Sequence, residues 1–210
     1  MTTSMQHKSA SSRGLSGGVF GKIPFKAWLA GLDAGRSGGV ASFDDFVKYG
    51  GDGWDEFDSD GGATNTVTKL DVLEGAVSLN LIVTDSADND EIQLLGQQSV
   101  NLQAGKKSAF ECRFKISSLA QNISVFAGLV GASAAADSAV ITDADALAAD
   151  DLIGIHMLND DDGILDVSYG GSGGSAAVKA SAKTLAADTY CNFGVYSDGS
   201  NVEAFIDGQK

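Results

Sequence analysis

The sequence predicts an all-β protein, an antiparallel two-sheet sandwich carrying an extended N-terminal arm. Residues 107–207 break into short segments, KSAFECRFKI, NISVFAGLV, LIGIHML, GILDVSY, YCNFGVYS and NVEAFIDG, parted by Asp-, Gly- and Ala-rich turns. Within them apolar and polar residues alternate with a period of two, as a strand with one buried face requires. The three- and four-residue apolar spacing of an amphipathic helix is absent from this half of the chain. Several short alternating strands at regular spacing build a sandwich, a fold used more often for binding than for chemistry.

The arm comes first. Residues 1–21 are rich in Ser, Gly and Thr and hold too little apolar surface to offset their ordering entropy alone. Residues 23–32, IPFKAWLAGL, set Phe25, Trp28, Leu29 and Leu32 at helical spacing, which suits one short helix or an anchor. A tryptophan is costly to leave in water, so this segment is expected to pack on something. Residues 1–40 carry Lys8, Arg13, Lys22, Lys26 and Arg36 against Asp33 alone, on a chain whose net charge is -14. A basic arm on an acidic body suits docking on an acidic surface. The boundary is therefore drawn between an arm, 1–40, and a body, 41–210.

Residues 41–60 place Phe43, Phe46, Tyr49, Trp54 and Phe57 among acids and read as an entry segment whose aromatics cap one end of the sandwich. TVTKLDV, GAVSLNLIV and EIQLL follow as further strands, with turns at Glu74-Gly75 and across residues 85–90. In KSAFECRFKI, Phe110, Cys112, Phe114 and Ile116 fall inward while Glu111, Arg113 and Lys115 fall outward. Ile123, Val125, Ala127 and Leu129 repeat the pattern, then Cys191, Phe193 and Val195, then Val202, Ala204 and Ile206. Residues 133–151 are an Ala/Asp insertion with a helical turn expected across 144–149, and residues 170–175 form a Gly/Ser hairpin loop. FIDG at 205–208 reads as a strand entering a tight Asp-Gly turn, which calls for a returning strand from a partner or a longer chain, or else leaves an edge.

The same residues bound the chemistry. Cys112 and Cys191 are expected as buried thiols, with no Cys-x-x-Cys or His pairing that would make a metal site. The turn Asn159-Asp160-Asp161-Asp162-Gly163 and the acids Asp143, Asp145, Asp150 and Asp151 lack the calcium-loop ladder and read as solvated turns. No strand bears the alternating carboxylates of a glycosidase, and Asp166 and Glu203 read as lone, solvent-facing acids. His7 lies in the arm. His156 falls on the face opposite Ile153, Ile155 and Met157, with no Ser or acid at a recognisable spacing, and reads as structural. Nucleotide-binding glycine patterns are absent, so no cofactor is expected.

An acidic body disfavours nucleic acid. No segment approaches the roughly 20 apolar residues of a membrane span, and no secretory leader is visible, so a soluble, unexported protein is expected. Trp54, Tyr169 and Tyr196 are the aromatics placed to stack on sugar, so weak glycan binding stays open beside the reading of these rings as core caps.

The strand motifs FECRFKIS, VFAGLV, LIGIHM, FGVYSDG and NVEAFIDG, with the FDDF opening at 43–46, resemble a family of phage virion proteins with a concanavalin-A-like or laminin-G-like jelly-roll fold. The pattern runs as E-x-R-F-K-I at 111–116, GL at 128–129, IG at 153–154 and F-x-D-G at 205–208, across about residues 41–210. The resemblance implies a jelly-roll body and a capsid decoration or cement protein. Such a protein is made in the host cytoplasm, sits on the capsid surface of the virion as a homo-oligomer, and binds the major capsid protein without catalysing a reaction. The arm would then dock through Phe25, Trp28 and Leu29 as apolar anchors and through Lys22, Lys26 and Arg36 as charge contacts.

Overall fold

A computed structural model describes residues 54–59, 66–71, 76–80, 91–96, 107–119, 123–131, 140–142, 146–147, 151–170 and 177–210. The expected arm, residues 1–40, lies outside the described residues, as do Phe43, Phe46 and Tyr49. Everything described is strand or connection, with no helix among the described residues.

Two sheets carry the core. One is four-stranded, in the order β11 (Ala177–Thr184), β10 (Ile164–Gly170), β9 (Leu152–Met157), β6 (Val125–Val130). The other is three-stranded, in the order β13 (Val202–Ile206), β12 (Cys191–Ser197), β5 (Ser108–Phe114). All their pairings are antiparallel. Three two-stranded ribbons complete the description: β1 (Trp54–Ser59) with β4 (Glu91–Gly96), β2 (Thr66–Asp71) with β3 (Ala76–Asn80), and β7 (Ile141–Thr142) with β8 (Ala146–Leu147).

The core is the alternation made physical. Ile153, Ile155 and Met157 of β9 and Leu165 and Val167 of β10 meet Cys191, Phe193 and Val195 of β12 in one buried cluster. Phe110, Cys112, Phe114 and Ile116, then Val125, Ala127 and Leu129, then Val202, Ala204 and Ile206 pack against it, as the period of two requires. Register explains why these faces coincide. Val195 stands opposite Phe110 and Ala204, and Ile155 opposite Ala127 and Val167, and directly opposed residues share a face. Phe193 has no exposed surface, and its burial alone is worth about 1.5–3 kcal/mol.

β9 departs from simple alternation because both its faces are buried. Gly128 and Gly154 stand opposite one another on its outer side. A methyl group built on either would lie 2.9 Å from Cζ of Phe126, so that ring occupies the space the two glycines leave and roofs the strand.

Three expectations need correction. The stretch expected to hold a helical turn contains β8 instead, where Leu147 pairs with Ile141 and Ala146 with Thr142. Alanine is the best helix former, but intrinsic propensity is a small term that cross-strand pairing outweighs here. WDEFDS, read as an entry segment, is strand β1. AVKASAKT, not read as a strand, is the edge strand β11. The Asp-Gly turn after β13 does form: Asp207 and Gly208 have φ of 50° and 79°, and Ile206 and Gln209 exchange backbone hydrogen bonds of 2.8 and 2.9 Å across it.

Candidate functional site

Two side-chain groupings stand out, one on the outer face of each sheet. On the four-stranded sheet, β9 and β10 bring His156 opposite Asp166, with Ser168 two residues further along β10 on the same face. His156 Nδ1 lies 3.2 Å from Ser168 Oγ, and its Nε2 lies 4.0 Å from Asp166 Oδ2. His156 is 3% exposed and Ser168 fully buried. Burial holds the imidazole below its usual pKa, opposed by the charges of Asp166 and Asp161, so the ring is neutral near pH 7. The second oxygen of Asp166 accepts the Ser181 N–H at 2.7 Å. That amide belongs to a bulge in β11, where residues 180–182 face the single residue Asp166 and Ser181 adopts a φ of 56°.

This overturns two expectations: His156 does have a serine and an acid beside it, and Asp166 is mostly enclosed and engaged instead of facing solvent. The signal was available in the hairpin, since counting outward from the 159–163 turn sets residue 156 against 166. The trio shares residue types with a hydrolase triad but not its access. A nucleophile must reach substrate, and Ser168 has no exposed surface. The hydrogen bonds instead tie β9, β10 and β11 together.

On the three-stranded sheet, Arg113 and Lys115 point outward from β5 and its end, as the alternation requires. The Arg113 guanidinium carbon lies 3.9 Å from the centroid of the Tyr190 ring, and Lys115 Nζ lies 5.5 Å from the same centroid. Lys115 also lies 3.8 Å from the carboxylate of Asp188, which is 70% exposed. Across the strand pair, Asn192 stands opposite Arg113.

The sheets are also joined by charge. Lys183 of β11 pairs with Asp207, which follows β13 and accepts the backbone N–H of Asn192 at 3.0 Å. The Asn192 amide, then the Lys183 ammonium, hold the Asp207 carboxyl below the usual carboxylate range, while that hydrogen bond raises Lys183. Glu203, expected to be lone, pairs with Lys210 at 2.7 Å.

The sugar-stacking candidates are not brought to one place. Trp54 lies in β1 with its ring against Gly96 of the partner strand, 3.7 Å from where a methyl group there would be. Tyr169 sits in β10 and is 43% exposed; Tyr196 sits in β12, opposite Glu203 and Ala109. The arm candidates Lys22, Phe25, Lys26, Trp28, Leu29 and Arg36 lie outside the described residues.

In the acidic turn, Asp161 is committed internally, accepting the Leu158 N–H at 2.7 Å. No group of three metal-ligating side chains converges among the described residues. Both cysteines are free thiols, and burial, then the neighbouring Cys191, push Cys112 up to about 12. Comparison with family models, with curated proteins and with solved structures gives no match to this chain.

Proposed function

We propose that this chain is a structural virion protein that decorates or cements a phage capsid, binding the major capsid protein lattice through its N-terminal arm and the edges of its body. One observation carries the reading. The five motifs that resemble the virion family fall on β5, β6, β9, β12 and β13, which contribute the packed faces of the two sheets. Its acids also support the reading. Asp161, Asp166, Asp207 and Glu203 are each spent on internal hydrogen bonds or ion pairs, as suits a scaffold that binds through its surface. A long basic segment lying along neighbouring acidic subunits gains area and charge contacts at an ordering cost.

The test is add-back to capsids that lack the protein. The full chain is expected to bind at fixed lattice positions, and a variant without residues 1–39 is expected to remain folded and fail to bind. Full occupancy by the truncated protein would remove the arm from the reading. A second reading, a carbohydrate-binding module on a virion surface, draws on the exposed ring of Tyr169. Glycan-array binding by the wild type that is lost in Tyr169→Ala would favour it.

A further inference from the structure

We propose that His156, Asp166 and Ser181 form a proton-operated latch: when His156 takes up a proton, the Asp166 carboxylate turns from the Ser181 amide to the imidazolium and releases the edge strand β11. The proposal stands independently of the capsid reading.

One carboxylate faces two partners. Oδ1 of Asp166 accepts the Ser181 N–H at 2.7 Å, and Oδ2 lies 4.0 Å from His156 Nε2, beyond hydrogen-bond reach. Ser181 adopts a φ of 56°, a conformation that residues with a β-carbon reach at a steric cost, and the Asp166 carboxylate is the acceptor that holds its amide there.

Protonation shifts that balance. In the neutral ring one nitrogen donates and the other accepts, and the Ser168 hydroxyl, 3.2 Å from Nδ1, suits either role. In the imidazolium both nitrogens donate, and a charge stands on a residue that is only 3% exposed. An enclosed charge calls for a counter-charge. β10 supplies Asp166, directly opposite, and the neutral Ser168. The 159–163 turn supplies Asp161, whose Oδ2 already accepts the Leu158 N–H at 2.7 Å. β6 sets Phe126 opposite the ring and carries no charged residue. Lys179 and Lys183 of β11 stand opposite Val167 and Leu165, on the core-facing side of the sheet and away from the ring. Asp166 is thus the carboxylate that the imidazolium draws, over about 1 Å to reach hydrogen-bonding distance. β10 is paired on both sides, so the carboxylate moves by side-chain rotation, which carries Oδ1 off the Ser181 amide. β11 is exposed from Ala177 to Ser181, and the freed bulge relaxes into solvent. Acid then loosens one edge of the four-stranded sheet while the core stays packed.

The test is amide hydrogen exchange on the full chain, read residue by residue by NMR with the intrinsic pH dependence of exchange divided out, while the ring resonances of His156 report its protonation. Between pH 7 and pH 5, the range in which histidine titrates, the Ser181 amide is expected to lose at least tenfold in protection while Val195 in the central strand β12 keeps its own. His156→Gln and Asp166→Asn are each expected to hold Ser181 protection constant over this range, the first lacking the proton and the second the charge that answers it. Ser181 protection that stays constant or rises as His156 titrates in the wild type would overturn the proposal. So would an equal loss at Val195, or a ring still neutral at pH 5.

Discussion

His156 and Ser168, twelve residues apart in sequence, form a buried hydrogen bond of 3.2 Å on the outer face of the four-stranded sheet. The imidazole takes part as a neutral ring, and the fold therefore resists its protonation. A group whose folded pKa is depressed adds stability that is present above its unfolded value, about 6.5 for histidine, and is lost as pH falls through the folded value. Urea midpoints are expected to hold above pH 6.5 and decline from there toward pH 5, before carboxylate protonation begins near pH 4. His156→Gln is expected to flatten that interval. An unchanged slope in the variant would show that another group governs it.

Ser168→Ala leaves a buried ring nitrogen without its partner. The expected loss is about 1–2 kcal/mol in denaturant unfolding. A loss near zero would mean that the bond has no net worth in the folded state.

The inward residues were legible because alternation is local: each strand states its own buried face through Phe110, Cys112 and Phe114, or Cys191, Phe193 and Val195. β11 was not legible, since AVKASAKT has one large apolar residue, Val178, and an edge strand exposed along most of its length needs no more. β8 was hidden by alanine. The His156 cluster depended on register, which no single strand contains, and so did the Tyr190 contact with Arg113, since Tyr190 directly precedes the Cys191–Phe114 pair of β12 and β5.

Gly128→Ala and Gly154→Ala test the close approach of β6 and β9. The added methyl would lie 2.3 Å from the Ile153 carbonyl oxygen in the first and 2.4 Å from that of Ala127 in the second. Both obstacles are backbone, so the strands must separate or the Phe126 roof must shift. Each variant is expected to lose about 2–3 kcal/mol, read from denaturant midpoints. A loss below about 0.5 kcal/mol would contradict this packing.

Asp207→Asn keeps a residue type that tolerates positive φ but removes the charge that pairs with Lys183. The pair is partly solvated, so its loss near pH 7 is expected to cost no more than about 1 kcal/mol. The pH profile is more telling. The depressed Asp207 gives stability that is lost as pH falls below about 3.9, and the raised Lys183 gives stability that is lost as pH rises above about 10.4. Asp207→Asn is expected to blunt both limbs, measured by thermal midpoint across pH. A change in neither would remove the ion pair as a link between sheets.

Cys112 and Cys191 should be slow to react in the folded protein, because burial favours the un-ionised thiol in both. Maleimide labelling at pH 7.5 is expected to be complete only after unfolding. Rapid labelling of either native thiol would contradict the packing of the two sheets.

The most direct measurement is a cryo-EM reconstruction of capsids made with and without this chain. The account expects an added two-sheet sandwich repeated at fixed positions on the major capsid protein lattice. Identical capsid surfaces in the two reconstructions, with the protein left in the supernatant, would contradict it.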